Sequence, residues 1–167
     1  MLPTFHLGAA DCAIIFQMDA IDRKILAQLQ EDGRVSVTDL SERIGLSLSP
    51  CHRRVRALEE AGVIDGYRAH INPAKVGLNF SAIVFATLRE STSKSVRSFE
   101  SALIDIPEII RAERLFGDPD FMLHIVTHDL AAFQKLYDKH LSALPFVLRL
   151  RSTLVMKSIF DNRPVPL

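Results

Sequence analysis

The stretch from Val37 to Ala61 leaves this chain few folding choices. Leu40 and Ile44 stand four residues apart, so a short helix there has one apolar face. Gly45 ends that helix, and Leu46 is positioned to tuck back under the turn. Ser49 followed by Pro50 reads as an N-cap with proline at the first helical position, where the missing N–H costs nothing. In the helix that follows, Cys51, Val55 and Leu58 fall on one stripe, and His52, Arg53, Arg54 and Arg56 project elsewhere. Two helices joined this tightly predict a helix-turn-helix, whose second helix is shaped to enter the major groove of double-stranded DNA.

The flanks extend that unit. Residues 19 to 31 predict a preceding helix with Ile21, Ile25, Leu26 and Leu29 inward and Asp19 and Asp22 at its N-terminus. Asp32-Gly33 stops it, and Val35 leads to a helix start at Ser36 or Val37. Beyond Gly62, the residues Val63, Ile64 and Tyr67 around Asp65-Gly66 predict a small two-stranded wing. A winged helix-turn-helix domain over residues 18–68 is expected, then a linker over 69–79 marked by Asn72-Pro73, Gly77 and Asn79.

From Phe80 the rhythm changes. Phe80 to Leu88 reads as a strand, residues 93 to 104 as a helix, and Ile109 to Phe116 as a strand. Gly117-Asp118-Pro119-Asp120 makes a turn, and Phe121 to Thr127 alternates as a third strand. Residues 129 to 141, with Leu130, Phe133, Leu136 and Leu141 inward, form a helix, and Val147 to Ile159 closes as a strand. The order βαββαβ predicts an α+β, ferredoxin-like domain over 80–160 with helices on one face, and a tail over 161–167. The other face, expected to carry Val84, Ile125 or their neighbours, calls for a cover, and a homodimer supplies one.

Composition sets bounds rather than directions. The 167 residues are 48% hydrophobic and balance 20 basic against 20 acidic side chains. A neutral chain has no general attraction for nucleic acid, so any DNA affinity must come from local charge. The two cysteines, Cys12 and Cys51, are too few for a disulfide framework and lack metal-ligand spacing. His70, His124, His128 and His140 form no helical ligand pair, so neither metal nor cofactor is expected. No apolar run of about 20 residues is present, and a cytoplasmic protein is expected. Residues 1–17 have no basic start suited to a signal peptide. Either Met18 is the biological start, or the extension is an arm packing through Phe5, Ile14, Ile15 and Phe16.

Several of these stretches coincide with a known pattern: IDRKIL at 21–26, LQEDGR at 29–34, LSERIGLSLSPCHRRVRALEEAGVIDGY at 40–67 and GDPDF at 117–121. From Met18 to about Ile159 the chain resembles the Lrp/AsnC family, the leucine-responsive or feast/famine regulators. That resemblance implies a dimeric building block closing into octamers or open assemblies. It also implies a small effector, typically an amino acid, held between C-terminal domains beside the turn at 117–121. Gly117, Asp118, Asp120 and Phe121 are then effector candidates, with His124 on the following strand. Pro119 and Phe121 stand where that family often carries a large residue and a tyrosine, which leaves the effector's identity open.

Each candidate has a plainer reading beside it. Arg53, Arg54 and Arg56 are DNA contacts or a solvated helix face. His52 and Arg53, near the helix start, suit base edges, and Arg54 or Arg56 suits phosphates. Ser47 and Ser49 are further phosphate candidates, and Arg34 a backbone contact. Cys51 reads as a small buried hydrophobe rather than a redox sensor. Asp118 and Asp120 are effector ligands or turn-capping residues, and Met122 and Met156 are expected in the core. Two rival functions remain at this level: an enzyme on the sheet, for which no nucleophile has an adjacent base, and an architectural DNA-wrapping protein with little sequence preference and no effector.

Overall fold

A computed structural model describes residues 17–160 and 162–167. The expectations for residues 1–16, including Cys12 and the arm, lie outside the described residues. The chain divides into two compact units, one ending at Ala69 and joined by Asn162–Leu167, the other His70–Asp161.

The first unit is a bundle of three helices, α1 (Ala20–Glu31), α2 (Val37–Ile44) and α3 (Leu48–Glu60). Asp19 caps α1: its side chain accepts the N–H groups of Ile21 and Asp22 at 2.8 and 2.9 Å, and Asp22 accepts the N–H of Asp19 at 3.1 Å. This reciprocal box satisfies the orphan donors of the first turn. Ser36 caps α2, with the N–H of Asp39 donating to its hydroxyl at 3.0 Å. Gly45 takes the left-handed conformation, φ 72°, that ends α2 with no Cβ clash, and Leu46 N–H returns to the Ser41 carbonyl. Ile25, Leu26, Leu40, Cys51, Val55 and Leu58 are buried together, and Met18, Ile21, Leu29, Val35, Val37, Ile44, Leu46 and Ile64 pack around them.

Two expectations change here. The N-cap of α3 is Ser47, not Ser49, and Cys51 N–H already donates to the Ser47 carbonyl. Proline is tolerated throughout a first turn, whose N–H groups lack intrahelical acceptors, so Pro50 does not mark the first residue. Nor is there a wing strand: residues 63–71 pair with nothing as β-structure, and Tyr67 instead donates its hydroxyl to Glu59 at 3.1 Å.

The second unit opens on a 3-10 turn, Pro73–Val76, capped by Asn72 and ended by Gly77 at φ 84°. Four strands follow, β1 (Phe80–Leu88), β2 (Ile109–Arg114), β3 (Phe121–Thr127) and β4 (Val147–Leu154), with α4 (Ser93–Leu103) and α5 (Leu130–Leu136) between them. The sheet is antiparallel in the order β2-β3-β1-β4. Both βαβ connections therefore skip one strand, the ferredoxin-like arrangement. A π turn, Tyr137–Leu141, extends α5.

Register decides which face each strand buries. Ala82, Val84, Ala86 and Leu88 of β1 lie opposite or beside Phe121, Leu123 and Ile125 of β3, all buried under Val96, Phe99, Leu103, Phe133, Leu136 and Leu141. Val84 and Ile125 are thus core residues, not the open face. Their neighbours Ile83, Phe85, Met122 and His124 form that face, with Arg149 and Arg151 from β4 and Arg111 and Glu113 from β2. Met156 is fully exposed and Leu130 about half exposed, against the expectation that both turn inward. β4 ends at Leu154, short of the expected Ile159.

Candidate nucleic-acid interface and effector turn

On α3 the apolar stripe and the polar face part cleanly. Cys51 and Leu58 are wholly buried and Val55 nearly so, whereas Ser47, Ser49, His52, Arg53 and Arg56 are exposed. Arg53 has no ion-pair partner among the described residues. Arg56 lies 2.8 Å from Glu60, an exposed i,i+4 pair that water screens and a stronger partner displaces. Ser47 makes no cap bond with its side chain, so its hydroxyl is uncommitted to the helix. Arg34 is exposed on the turn before α2, and its N–H donates to Asp32 at 3.0 Å.

Arg54 differs from its neighbours. Its guanidinium sits 2.8 Å from both Asp19 and Asp22, and the Asp22 side chain is only 7% exposed. The backbone N–H of Asp22, with further help from Arg54, holds the Asp19 carboxyl below its ordinary range. The same two carboxylates push Arg54 further up, so it stays charged. Arg54 therefore fastens α3 to the start of α1 and orients it, a role invisible in a linear reading because 32 residues separate the partners. Burial raises the Cys51 thiol, which keeps it protonated and weakly nucleophilic.

In the second unit the turn after β2 is built by its own acids. Both Asp120 oxygens are engaged, one accepting the N–H of Leu88 at 2.7 Å and the other the Ser91 hydroxyl at 3.1 Å. Asp120 thereby locks the turn to the end of β1. Asp118 faces outward: it accepts the Thr87 hydroxyl at 3.1 Å and lies 3.3 Å from Arg149, with both charged side chains more than 60% exposed. Phe85, Thr87, Asp118, Pro119, Arg149 and Arg151 line a shallow depression there, and the Arg151 guanidinium lies 5.0 Å from the Phe85 ring centroid. The Asp118–Pro119 peptide is cis, and Gly117 adopts φ 130°, a conformation open to glycine.

Two expected members of this turn lie elsewhere. Phe121 is 2% exposed and packs on Phe99, ring centroids 4.6 Å apart and planes tilted by 38°, so it belongs to the helix-side core. His124 shares the open face but pairs with Ile83, four residues along β1 from Thr87, about 13 Å by strand rise. There it bonds the Ser81 hydroxyl at 2.8 Å. Arg149, Arg151, Thr87 and Phe85, absent from the sequence reading, complete the depression. The only sequence signal for them is parity on strands whose pairing the sequence does not state.

Among the described residues no three His, Cys, Asp or Glu side chains are grouped to hold a metal ion. None of the described helices is long and apolar enough to cross a membrane.

A helical head presenting an exposed basic helix, followed by a βαββαβ unit, defines a DNA-binding regulator with a separate ligand-binding domain. Residues 18–65 match the winged helix-turn-helix DNA-binding model, and residues 81–165 the Lrp/AsnC ligand binding domain. The chain is 37% identical over 151 residues to the Bkd operon transcriptional regulator of Pseudomonas aeruginosa, covering 90% of this chain and 99% of that protein. It is 36% identical over 145 residues to the proline dehydrogenase transcriptional activator of Rhodobacter capsulatus, covering 87% and 94%. Its fold matches a transcriptional regulator of Neisseria meningitidis solved as an L-Met complex, with a TM-score of 0.85 and 33% identity over 90% of this chain and 97% of that one. The chain belongs to the Lrp/AsnC family of transcriptional regulators. It is a sequence-specific DNA-binding regulator of that non-catalytic family, which removes the enzyme reading.

Proposed function

We propose that this regulator binds an operator as a homodimer, with α3 of each head in successive major grooves, and that an amino acid at the turn after β2 modulates it. The observation that carries the first part is the exposed Arg53, without an ion-pair partner among the described residues, beside His52 on the outer face of α3. Arg53 and His52 address base edges, where arginine to guanine O6 and N7 is the favoured pair. Arg56, Ser47, Ser49 and Arg34 address phosphates. Arg54 positions the helix instead of reading it.

For the effector, the exposed Asp118 carboxylate is the acceptor for an α-amino group, and Arg149 or Arg151 meets the carboxylate. Asp120 holds the turn's shape and Gly117 its backbone. The L-Met complex of the Neisseria relative supports an amino acid as the ligand class. The partly apolar face containing Ile83, Phe85 and Met122 supports homodimer formation, and further closure to an octamer would set neighbouring turns together.

Selection of the full chain on random duplex DNA, with and without a pool of the twenty amino acids, tests this. An imperfect palindrome whose yield responds to the pool is the expected result. Retention without an enriched motif would overturn the operator reading, and an enriched motif indifferent to every amino acid would overturn the effector reading.

A further inference from the structure

The segment Asn162–Leu167 contains the run Pro164-Val165-Pro166 and groups with the helical head rather than with the sheet it follows. At Val165 it is held by one side chain of α1. The Gln30 carboxamide donates through Nε2 to the Val165 carbonyl at 3.2 Å and accepts the Val165 N–H through Oε1 at 2.6 Å. Along one edge a carboxamide sets an N–H donor beside its carbonyl acceptor, so it answers both the C=O and the N–H of one extended residue, as a facing strand does.

The sequence around Val165 suits that pairing. Prolines carry no N–H, so Val165 offers the single backbone donor of the triplet. Pro166 also holds Val165 in the extended region, and Pro164 fixes its own φ, so the segment loses little freedom on docking. Val165 is 62% exposed. At Val165 the contact therefore consists of two solvated hydrogen bonds around a side chain that stays exposed, a strength that makes and breaks readily.

We infer that Pro164-Val165-Pro166 is a releasable strap, docked on α1 of its own chain by Gln30, and that its release frees the head. With the strap docked, two chain segments rather than one, the linker 69–79 and residues 155–161, connect the head to the sheet. A second tether narrows the positions the head samples and raises its effective concentration over a restricted set of sites. On the dimeric operator reading proposed above, the strap sharpens selectivity for half-site spacing.

Docking is measured first, without DNA, in the full chain labelled with 15N-valine, the Val165 signal being assigned by its loss in Val165→Ala. The signal is expected away from its coil position in the parent chain, at the coil position in Gln30→Ala, and nearer the parent in Gln30→Glu, which keeps the acceptor and loses the donor. A coil-like Val165 in the parent, or one unmoved by Gln30→Ala, would overturn the strap. In mixed assemblies with unlabelled Gln30→Ala, a labelled parent chain keeps its docked signal if the strap is its own. Appearance of the coil signal there would assign the strap to a second copy and overturn the same-chain contact. DNA binding is then compared between half-sites at the preferred spacing and half-sites displaced by half a turn. Deleting 162–167 and Gln30→Ala should each reduce that preference about threefold, with no further loss when combined. An unchanged preference in both, with affinity retained, would overturn the spacing role. If the parent chain binds no DNA, the operator reading fails and the valine measurement still decides the docking.

Discussion

Asp19 serves two structural purposes at once, capping α1 and pairing with Arg54, and the pair makes the head acid-sensitive in a definite direction. The folded Asp19 carboxyl titrates below its ordinary 3.8 because the Asp22 N–H, and then Arg54, favour its ionised form. Between the folded and unfolded values the unfolded chain binds more protons, so this contribution is fully present above the unfolded value and is lost as pH falls through the folded one. Thermal unfolding of Asp19→Asn against the parent should show the variant less stable at pH 6, with the gap closing below pH 3.8. A gap independent of pH would mean that the cap bonds, and not the charge, carry the difference. Cys51 gives a contrasting residue-scale expectation. Fully buried with a raised thiol pKa, it should resist thiol reagents in the native chain and react on unfolding. Cys51→Ser, which sinks a hydroxyl into the head's core, should cost about 1–3 kcal/mol. Rapid native labelling of Cys51, located by peptide mapping, would contradict the burial.

At the scale of elements, patterns that depend on neighbouring residues were readable and those that depend on distant partners were not. The acidic start of α1, the glycine stop at Gly45 and the Cys51-Val55-Leu58 stripe are local, and each stands where its chemistry puts it. Ser47 and Ser49 both suit a cap, and Pro50 fits either register, so only the Cys51 N–H to Ser47 carbonyl bond decides. The β1 sequence is apolar on both faces. Its parity follows from pairing with β3, which sets Ala82 and Val84 against Ile125 and Leu123 beneath the helices and leaves Ile83 and Phe85 outside. Arg54 and Phe121 were similarly ambiguous, because Asp22, which engages the Arg54 guanidinium, and Phe99, which packs on Phe121 in the core, lie far away in sequence. The two helix caps yield a separable test. Ser36→Ala removes a real cap bond and should cost about 1 kcal/mol of head stability. Ser47→Ala removes none, so its melting temperature should match the parent while operator affinity falls. Equal losses of stability in both would show that the Ser47 hydroxyl bonds to the first turn of α3 after all.

For the whole molecule, the homodimer proposed above would join local chemistry to assembly through the open sheet face. Phe85 lies on β1, one of the sheet's two inner strands, opposite Met122 on one side and Arg151 on the other, with the Arg151 guanidinium over its ring. Neighbouring Ile83 and Met122 extend an apolar centre edged by Arg111, Arg149 and Glu113, the pattern of an interface core with a charged rim. Phe85 also projects away from the helix-side core, so a charge placed there should disturb association more than folding. Phe85→Asp should keep the parent's helical content and sediment at a lower mass in analytical ultracentrifugation. A bare carboxylate buried at a two-fold contact faces its own copy as well as an apolar wall, and both effects oppose pairing. Operator binding should fall with it. Two heads on one dimer bind the second half-site as an intramolecular event, an advantage of about a hundredfold or more over independent heads. On a single half-site, with one head engaged, parent and variant should bind alike. If Phe85→Asp remains dimeric at micromolar concentration, the pairing surface lies elsewhere. If it becomes monomeric but loses affinity equally for one and two half-sites, the head itself has been damaged. Only selective loss on the paired operator shows that this face couples the two heads.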